Sequence, residues 1–177
     1  STLTSEYQTV LSATPDADFK IFQKRKRELE YTISHYGDSF YILTNKDDAT
    51  NFKLMKTPET KTQAKNWVEV IGHREDVLLE GIDIFKDYLV VSEKNNGLNQ
   101  INIIPWSGAE AYYLPFEIET YTAETTTNID FDTEILRYTY QSLATPNSVI
   151  DFNMRTKEKN ILKEQEVLGG QFDKSNY

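Results

Sequence analysis

The feature that most constrains this chain is side-chain alternation that recurs at a fixed spacing. Phe40, Ile42 and Thr44 alternate with Tyr41 and Leu43, and Ile101 and Ile103 flank Asn102. Val149, Asp151 and Asn153 interleave with Ile150, Phe152 and Met154. A period of two puts successive side chains on opposite faces of an extended strand. No stretch sustains an i, i+3, i+4, i+7 apolar face beyond two turns, so the chain reads as all-β. Three stretches, Tyr31–Met55, Gly81–Ile104 and Ile129–Met154, share one order: a short apolar strand, a brief polar turn, a second strand, a polar loop and a third strand. Gly37-Asp38-Ser39-Phe40 aligns with Lys86-Asp87-Tyr88-Leu89 and then with Asp132-Thr133-Glu134-Ile135, at offsets of 49 and 46 residues. Such offsets match the period of four-stranded propeller blades. A closed propeller needs about 4–8 blades, and roughly three and a half fit here.

The turns support this division. Asn95-Asn96-Gly97 lies between two alternating runs, and Asn-Gly tolerates positive φ at both central positions of a tight hairpin. Asp47-Asp48 and Thr145-Pro146-Asn147 occupy the equivalent places in the other units. Pro146 then sits in a turn, as its missing N–H requires. The predicted organisation is an incomplete blade over about 6–22, full blades with four antiparallel strands over about 30–72, 79–116 and 122–163, and a linker over 164–177. An arc of blades leaves two blade faces uncovered, so self-association through them, or marginal stability, is expected of the chain in isolation.

Composition excludes several classes. The net charge of −9 opposes nucleic-acid binding, which depends on Lys and Arg contacts to phosphate. Zero Cys removes disulfides, thiolate metal sites and a Cys nucleophile. It fits a reducing compartment, so the cytoplasm is expected, with the periplasm left open. No run of 18 apolar residues is present to cross a membrane as a helix.

Catalytic chemistry finds little footing. A serine hydrolase of the α/β type carries its nucleophile on a Gly-x-Ser-x-Gly elbow, and neither Ser107-Gly108 nor Ser39 provides one. The two histidines, His35 and His73, read as a hydrogen-bonded strand residue and a solvated loop residue. Asp47-Asp48, Glu75-Asp76 and Glu117/Glu119 are paired carboxylates of the kind glycosidases use, but exposed acid is the norm and surface charge is the better reading. Lys24-Arg25-Lys26-Arg27 is the one basic cluster, read as a solvated inter-blade loop. Trp106, Tyr112, Tyr113 and Phe116 read as packing between blades in preference to a ligand groove. No cofactor or metal site is predicted.

Longer motifs add a resemblance. Glu30-Tyr31-Thr32-Ile33-Ser34-His35-Tyr36-Gly37-Asp38-Ser39-Phe40-Tyr41-Ile42-Leu43-Thr44-Asn45 with Asn51-Phe52-Lys53-Leu54, and Leu136-Arg137-Tyr138-Thr139-Tyr140-Gln141-Ser142-Leu143-Ala144-Thr145-Pro146, resemble the propeller of the oligopeptidase B group in the prolyl oligopeptidase family of serine peptidases. Leu78-Leu79-Glu80-Gly81, Asp87-Tyr88-Leu89-Val90-Val91 and Gly169 to Tyr177 agree, so the resemblance covers nearly the whole chain. It implies a seven-bladed propeller capping an α/β-hydrolase domain, with short peptides cut after Arg or Lys. The earlier blades would precede Ser1 and the triad would follow Tyr177, so no catalytic residue is carried over to this sequence. On the same resemblance this portion would gate access and wall one side of the cleft. Gly169-Gly170 would lie at the interdomain hinge, the alternative being an ordinary strand-ending turn. A stand-alone propeller that binds protein partners is the competing expectation, and an independent carboxylate hydrolase is a third.

Overall fold

The structure is a computed structural model that describes residues 4–9, 16–116 and 120–165. The chain divides into two compact units, Ser1–Leu79 and Glu80–Tyr177. The first holds β1 (Gln8–Thr9), β2 (Lys20–Ile21), β3 (Tyr31–Tyr36), β4 (Ser39–Thr44), β5 (Lys53–Pro58) and β6 (Val68–Ile71). Strand β7 (Val77–Ile84) spans the division. The second unit continues with β8 (Tyr88–Asn95), β9 (Leu98–Pro105), β10 (Tyr112–Tyr113), β11 (Tyr121–Thr125), β12 (Ile135–Ser142), β13 (Ser148–Asn153) and β14 (Lys159–Glu164). Apart from a single 3-10 turn at Ala64–Asn66, every described element is a strand.

The strands form three four-stranded antiparallel sheets in simple sequence order, β3-β4-β5-β6, β7-β8-β9-β10 and β11-β12-β13-β14, beside a short β1-β2 ribbon. Turn chemistry fixes the registers. Asn95 pairs with Leu98, leaving Asn96 (φ 49°) and Gly97 (φ 82°) as a two-residue loop. Two positive φ values match the right-handed twist of the flanking strands. Tyr36 pairs with Ser39, and Gly37 takes the left-handed position (φ 63°). The outer strands β6 and β14 each join their sheet through a register shift, at Leu54/Met55 and Val149/Ile150.

In the first unit the sheet is covered by residues that precede it. Phe22 and Leu29 pack with Tyr31, Phe40, Ile42, Met55 and Trp67. The rings meet edge-on, Phe22 with Phe40 at 4.9 Å and 82° and Tyr31 with Trp67 at 5.3 Å and 62°, an arrangement favoured by the aromatic quadrupole. In the second unit two sheets supply one core, in which Val90, Ile101 and Ile103 join Leu136, Tyr138 and Phe152. Each such side chain, fully buried, contributes about 1.5–3 kcal/mol.

One strand differs from expectation. The repeat stretch Ile129–Met154 was expected to open with a strand near Ile129, but the first strand of that sheet is β11, at the start of the blade expected over about 122–163 and paired with β12 from Tyr121↔Ser142 to Thr125↔Tyr138. Residues 126–134 form a loop in which Ile129 is exposed. Its polar backbone is tied elsewhere: Asn128 Nδ2 donates to the Thr126 and Arg137 carbonyls, and Lys86 N donates to the Phe131 carbonyl. The expected linker over 164–177 overlaps β14, whose last residue is Glu164. Gly169 and Gly170 lie outside the described residues, as do Glu117 and Glu119.

Candidate functional site

Of the residues that could carry chemistry, His35, Asp47 and the aromatics have structural partners. His35 lies on β3 with Nε2 2.5 Å from Glu59 Oε1, and its ring sits 4.9 Å from that of Phe40. A carboxylate on the imidazole resembles the orienting half of a triad, but among the described residues no serine bonds to that ring. His73 is exposed in the loop after β6, with Nε2 3.5 Å from Thr50 Oγ1. No group of three His, Cys, Asp or Glu placed to hold a metal occurs among the described residues. No helix there is long and apolar enough to cross a membrane.

Of the paired carboxylates, Asp47 braces a turn. Asp47 and Asp48 both take positive φ (59°) between β4 and β5. Lys46 Nζ donates to Asp47 Oδ2 at 2.6 Å and Lys53 Nζ at 3.3 Å. These ammonium donors, Lys46 foremost, hold the Asp47 carboxyl below the usual range. Lys53 is buried and also lies 3.6 Å from Glu69, so the β4–β5 loop, β5 and β6 share one charge cluster. Glu75 and Asp76 are exposed. The four basic residues Lys24–Arg27 are all exposed, and their loop is anchored by Phe22 N donating to the Tyr7 carbonyl and Leu29 N to that of Lys26.

The aromatic set is packing. Trp106 Nε1 donates to the Phe85 carbonyl at 3.0 Å. Phe116 stacks on Tyr140 at 5.6 Å and 8°. The Tyr112 hydroxyl donates to the Met154 carbonyl while Lys157 Nζ lies 4.3 Å from its ring centroid. Burial pushes Tyr112 up to about 12, and Tyr138 likewise. Tyr113, expected in the same set, is half-exposed and its hydroxyl donates to Glu93 Oε2 at 3.0 Å.

Glu93 escaped the sequence reading. It is 1% exposed on β8 and also accepts from Asn102 Nδ2 at 3.4 Å. Its signal was register: Leu89, Val91 and Glu93 share one face of β8, so a carboxylate continues a buried apolar row. Glu93 lines an open cleft of about 220 Å³ with Glu80, Asn99, Gln100 and Glu124. A second open cleft, of about 410 Å³, lies under the loop after β11, bordered by Asn128, Ile129, Asp130, Arg137 and Asp151. Its floor is the bidentate pair of Arg137 with Asp151, at 2.7 and 2.9 Å.

The loops at the two ends of the second unit differ in charge. At one end the turn after β7 and the loop after β11 meet through Lys86 and Asp132 (2.8 Å), and Glu134 pairs with Arg155 (2.9 Å). At the other, the β8–β9 turn is Asn96-Gly97 and the β12–β13 loop runs Leu143–Asn147. From Tyr138 to Ile150 there is no charged residue, in a chain that is 27% charged.

Successive four-stranded antiparallel sheets of this order, two of them packed face to face, are the blades of a β-propeller, here a partial one. Residues 4–165 match the prolyl oligopeptidase N-terminal β-propeller domain, and the chain belongs to that family. It is 36% identical over 177 residues to dipeptidyl aminopeptidase BI of Pseudoxanthomonas mexicana, covering 100% of this chain and 24% of that protein. It is 28% identical to protease 2 of Moraxella lacunata, covering 100% of this chain and 25% of that one. Among solved structures, oligopeptidase B from Trypanosoma brucei, in a closed form with covalently bound antipain, superimposes with a TM-score of 0.87 at 26% identity, over 98% of this chain and 26% of that one. Oligopeptidase B from Leishmania major gives 0.79 at 28% identity, over 90% and 23%. The chain therefore spans about a quarter of the length of the curated relatives it matches.

Proposed function

We propose that this chain is the non-catalytic wall and gate of a serine oligopeptidase whose parent protein cuts short peptides after Arg or Lys. The observation that carries the reading is the match to protease 2 along 100% of this chain, supported by the superposition on the T. brucei enzyme. The mechanism follows from rigidity. Blades whose cores are closed by Phe152, Tyr138 and Ile103 do not bend to admit a folded substrate, because packed interiors resist deformation. A cleft roofed by such blades passes only short, flexible peptides. Closing the roof onto a hydrolase domain would exclude water and complete the site. The partners are then that domain and the peptide.

The relation to dipeptidyl aminopeptidase BI favours a second reading, in which the parent releases dipeptides from free amino termini. Assaying the full-length parent on two arginyl amides, one amino-blocked and one a free dipeptide, separates the two. Cleavage of the blocked substrate, with a folded protein left intact, is the expected result. Turnover confined to the free dipeptide would establish the second reading, and no hydrolysis of either would leave an interaction propeller.

A further inference from the structure

We propose that the outer edge of β14 is a pairing surface for a second copy of this chain, held shut by one extra residue, Leu162. Strand β14 is the last of its sheet, as β6 is the last of its own. A strand in that place turns a row of backbone N–H and C=O groups outward, a template on which another chain can add a strand. In β14 that row has six residues and in β6 four. The outer strand of the remaining sheet, β10, has two, too few to hold a partner.

The sequence of β14 is complementary to itself. Two copies laid antiparallel with Ile161 opposite Leu162 set Lys159 opposite Glu164 and Asn160 opposite Lys163. An apolar pair then lies at the centre and an opposite-charge pair at each end, and both kinds stabilise when they face each other across strands. A slip of one residue destroys the match, setting Lys159 against Lys163 or Ile161 against Lys163. Ile161 and Leu162 are 55% and 46% exposed, so the centre of this row meets water in the single chain. Lys159 Nζ donates to the Pro115 carbonyl at 2.8 Å, and pairing would offer it a carboxylate in place of that neutral acceptor.

The register with β13 shows what keeps the edge shut. Phe152↔Lys159, Asp151↔Asn160 and Ile150↔Ile161 run in step, but Val149 pairs with Lys163. Leu162 is left between them without a place on β13, a bulge at the centre of the self-complementary row. A bulge bends its strand, raises the local twist and interrupts the even spacing that an added strand needs. Strand β6 carries the same device: Met55 pairs with Glu69 and Leu54 with Ile71, leaving Val70 over. Neither extra residue joins the core of its unit. What the two share is their place in a long outer strand.

The test uses the full-length parent and holds whichever peptides that parent cuts. Deleting Leu162 joins Ile161 to Lys163, removes the bulge and leaves every pairing with β13 in place. It also keeps the match, since Ile161 then faces its own copy, Asn160 faces Lys163 and Lys159 faces Glu164. Sedimentation over a concentration series is expected to show the wild-type mass doubling, with a dimer dissociation constant lower by at least on the order of tenfold. Leu162→Ala, which keeps the extra residue, is expected to sediment as the wild type. Glu164→Lys or Lys159→Glu added to the deletion should each return the wild-type mass, and mixing these two proteins should restore the dimer, because their charges match only between unlike copies. A folded deletion variant of wild-type mass, a Leu162→Ala parent that dimerises, or a dimer indifferent to both charge changes overturns the proposal. If the deletion costs β13 its hydrogen-exchange protection, deleting Ile161 instead sets Leu162 opposite Ile150, straightens the same strand and decides by the same mass. Loss of protection in both deletions would make the extra residue a requirement of folding, and would equally overturn its role as a guard of the edge.

Discussion

The two units close the same kind of sheet in different ways. In the second, sheet lies on sheet: Val90, Ile101 and Ile103 face Leu136, Tyr138 and Phe152 across a shared apolar layer. In the first, one four-stranded sheet is capped by Phe22 and Leu29, which belong to none of its strands. A sheet with an apolar face needs a second layer, but the layer need not be another sheet. The cap is held by polar stitches: Tyr31 N donates to Ser5 Oγ, and the Tyr31 hydroxyl accepts from Tyr7 N and donates to the Gln23 carbonyl, both at 3.2 Å. The sheet-on-sheet core is apolar throughout, apart from the buried phenol of Tyr138.

Deleting one large side chain from each core tests the contrast most severely. Phe152→Ala and Phe22→Ala are each expected to cost about 3–5 kcal/mol, transfer and cavity terms together. Their footprints should differ. Hydrogen exchange is expected to rise across 88–103 and 135–153 for Phe152→Ala, and across 31–44 and 67–71 for Phe22→Ala. Loss of protection over both units in either variant would show a single cooperative body and erase the distinction.

Breaking the stitches alone is milder. Tyr31→Phe keeps the ring against Trp67 but leaves the Tyr7 amide and the Gln23 carbonyl without their partner, at about 1–3 kcal/mol. Faster exchange at the Tyr7 amide, with the exchange of β12 and β13 unchanged, is the expected outcome. An unchanged Tyr7 amide would mean that ring packing alone holds the cap.

How far this contrast was legible in the sequence depended on how a strand is covered. Leu89-Val90-Val91 is apolar on both faces and is buried on both, so its pattern and its environment agree. The Asn96-Gly97 hairpin was equally plain, because backbone sterics leave few residues able to take two positive φ values. The repeat stretch beginning at Ile129 missed strand β11, which the blade bounds of about 122–163 include, because hydropathy misleads there. Tyr121, Ala123 and Thr125 make a weak face, with Ala123 buried at 2%, and pairing to β12 defines the strand. Ile129 and Phe131 are more apolar and lie in a loop. The capping role of Phe22 was hidden for a different reason: alternation reports which face is apolar, and says nothing of what covers it. For the site, the sequence reading took His35 as a hydrogen-bonded strand residue, His73 and the paired acids as solvated surface, and the aromatics as packing; in the structure His35 meets Glu59 and Phe116 stacks on Tyr140, while His73, Glu75 and Asp76 are exposed. The uncharged Tyr138–Ile150 run was on view throughout, but only strand direction places its loop at the end toward which β14 runs.

The smallest expected effect at neutral pH reads the polarity of the two cores. In the second unit burial raises both Tyr112 and Tyr138 from 10.0 to about 12; in the first it raises Tyr31. A phenol whose folded pKa lies above its unfolded value binds its proton more tightly when folded. Its contribution is therefore complete below pH about 10 and is lost as pH rises toward 12. The urea midpoint of the second unit is expected to fall steeply over that window. Tyr138→Phe removes one of these ionisations and keeps the ring, so it should blunt the fall while leaving the midpoint at pH 7 nearly unchanged. Part of the tyrosinate absorbance should appear only as pH approaches 12. A single transition complete by about pH 10 would mean that these hydroxyls reach water in the folded state, and the sheet-on-sheet core would then be no drier at its edge than the capped one.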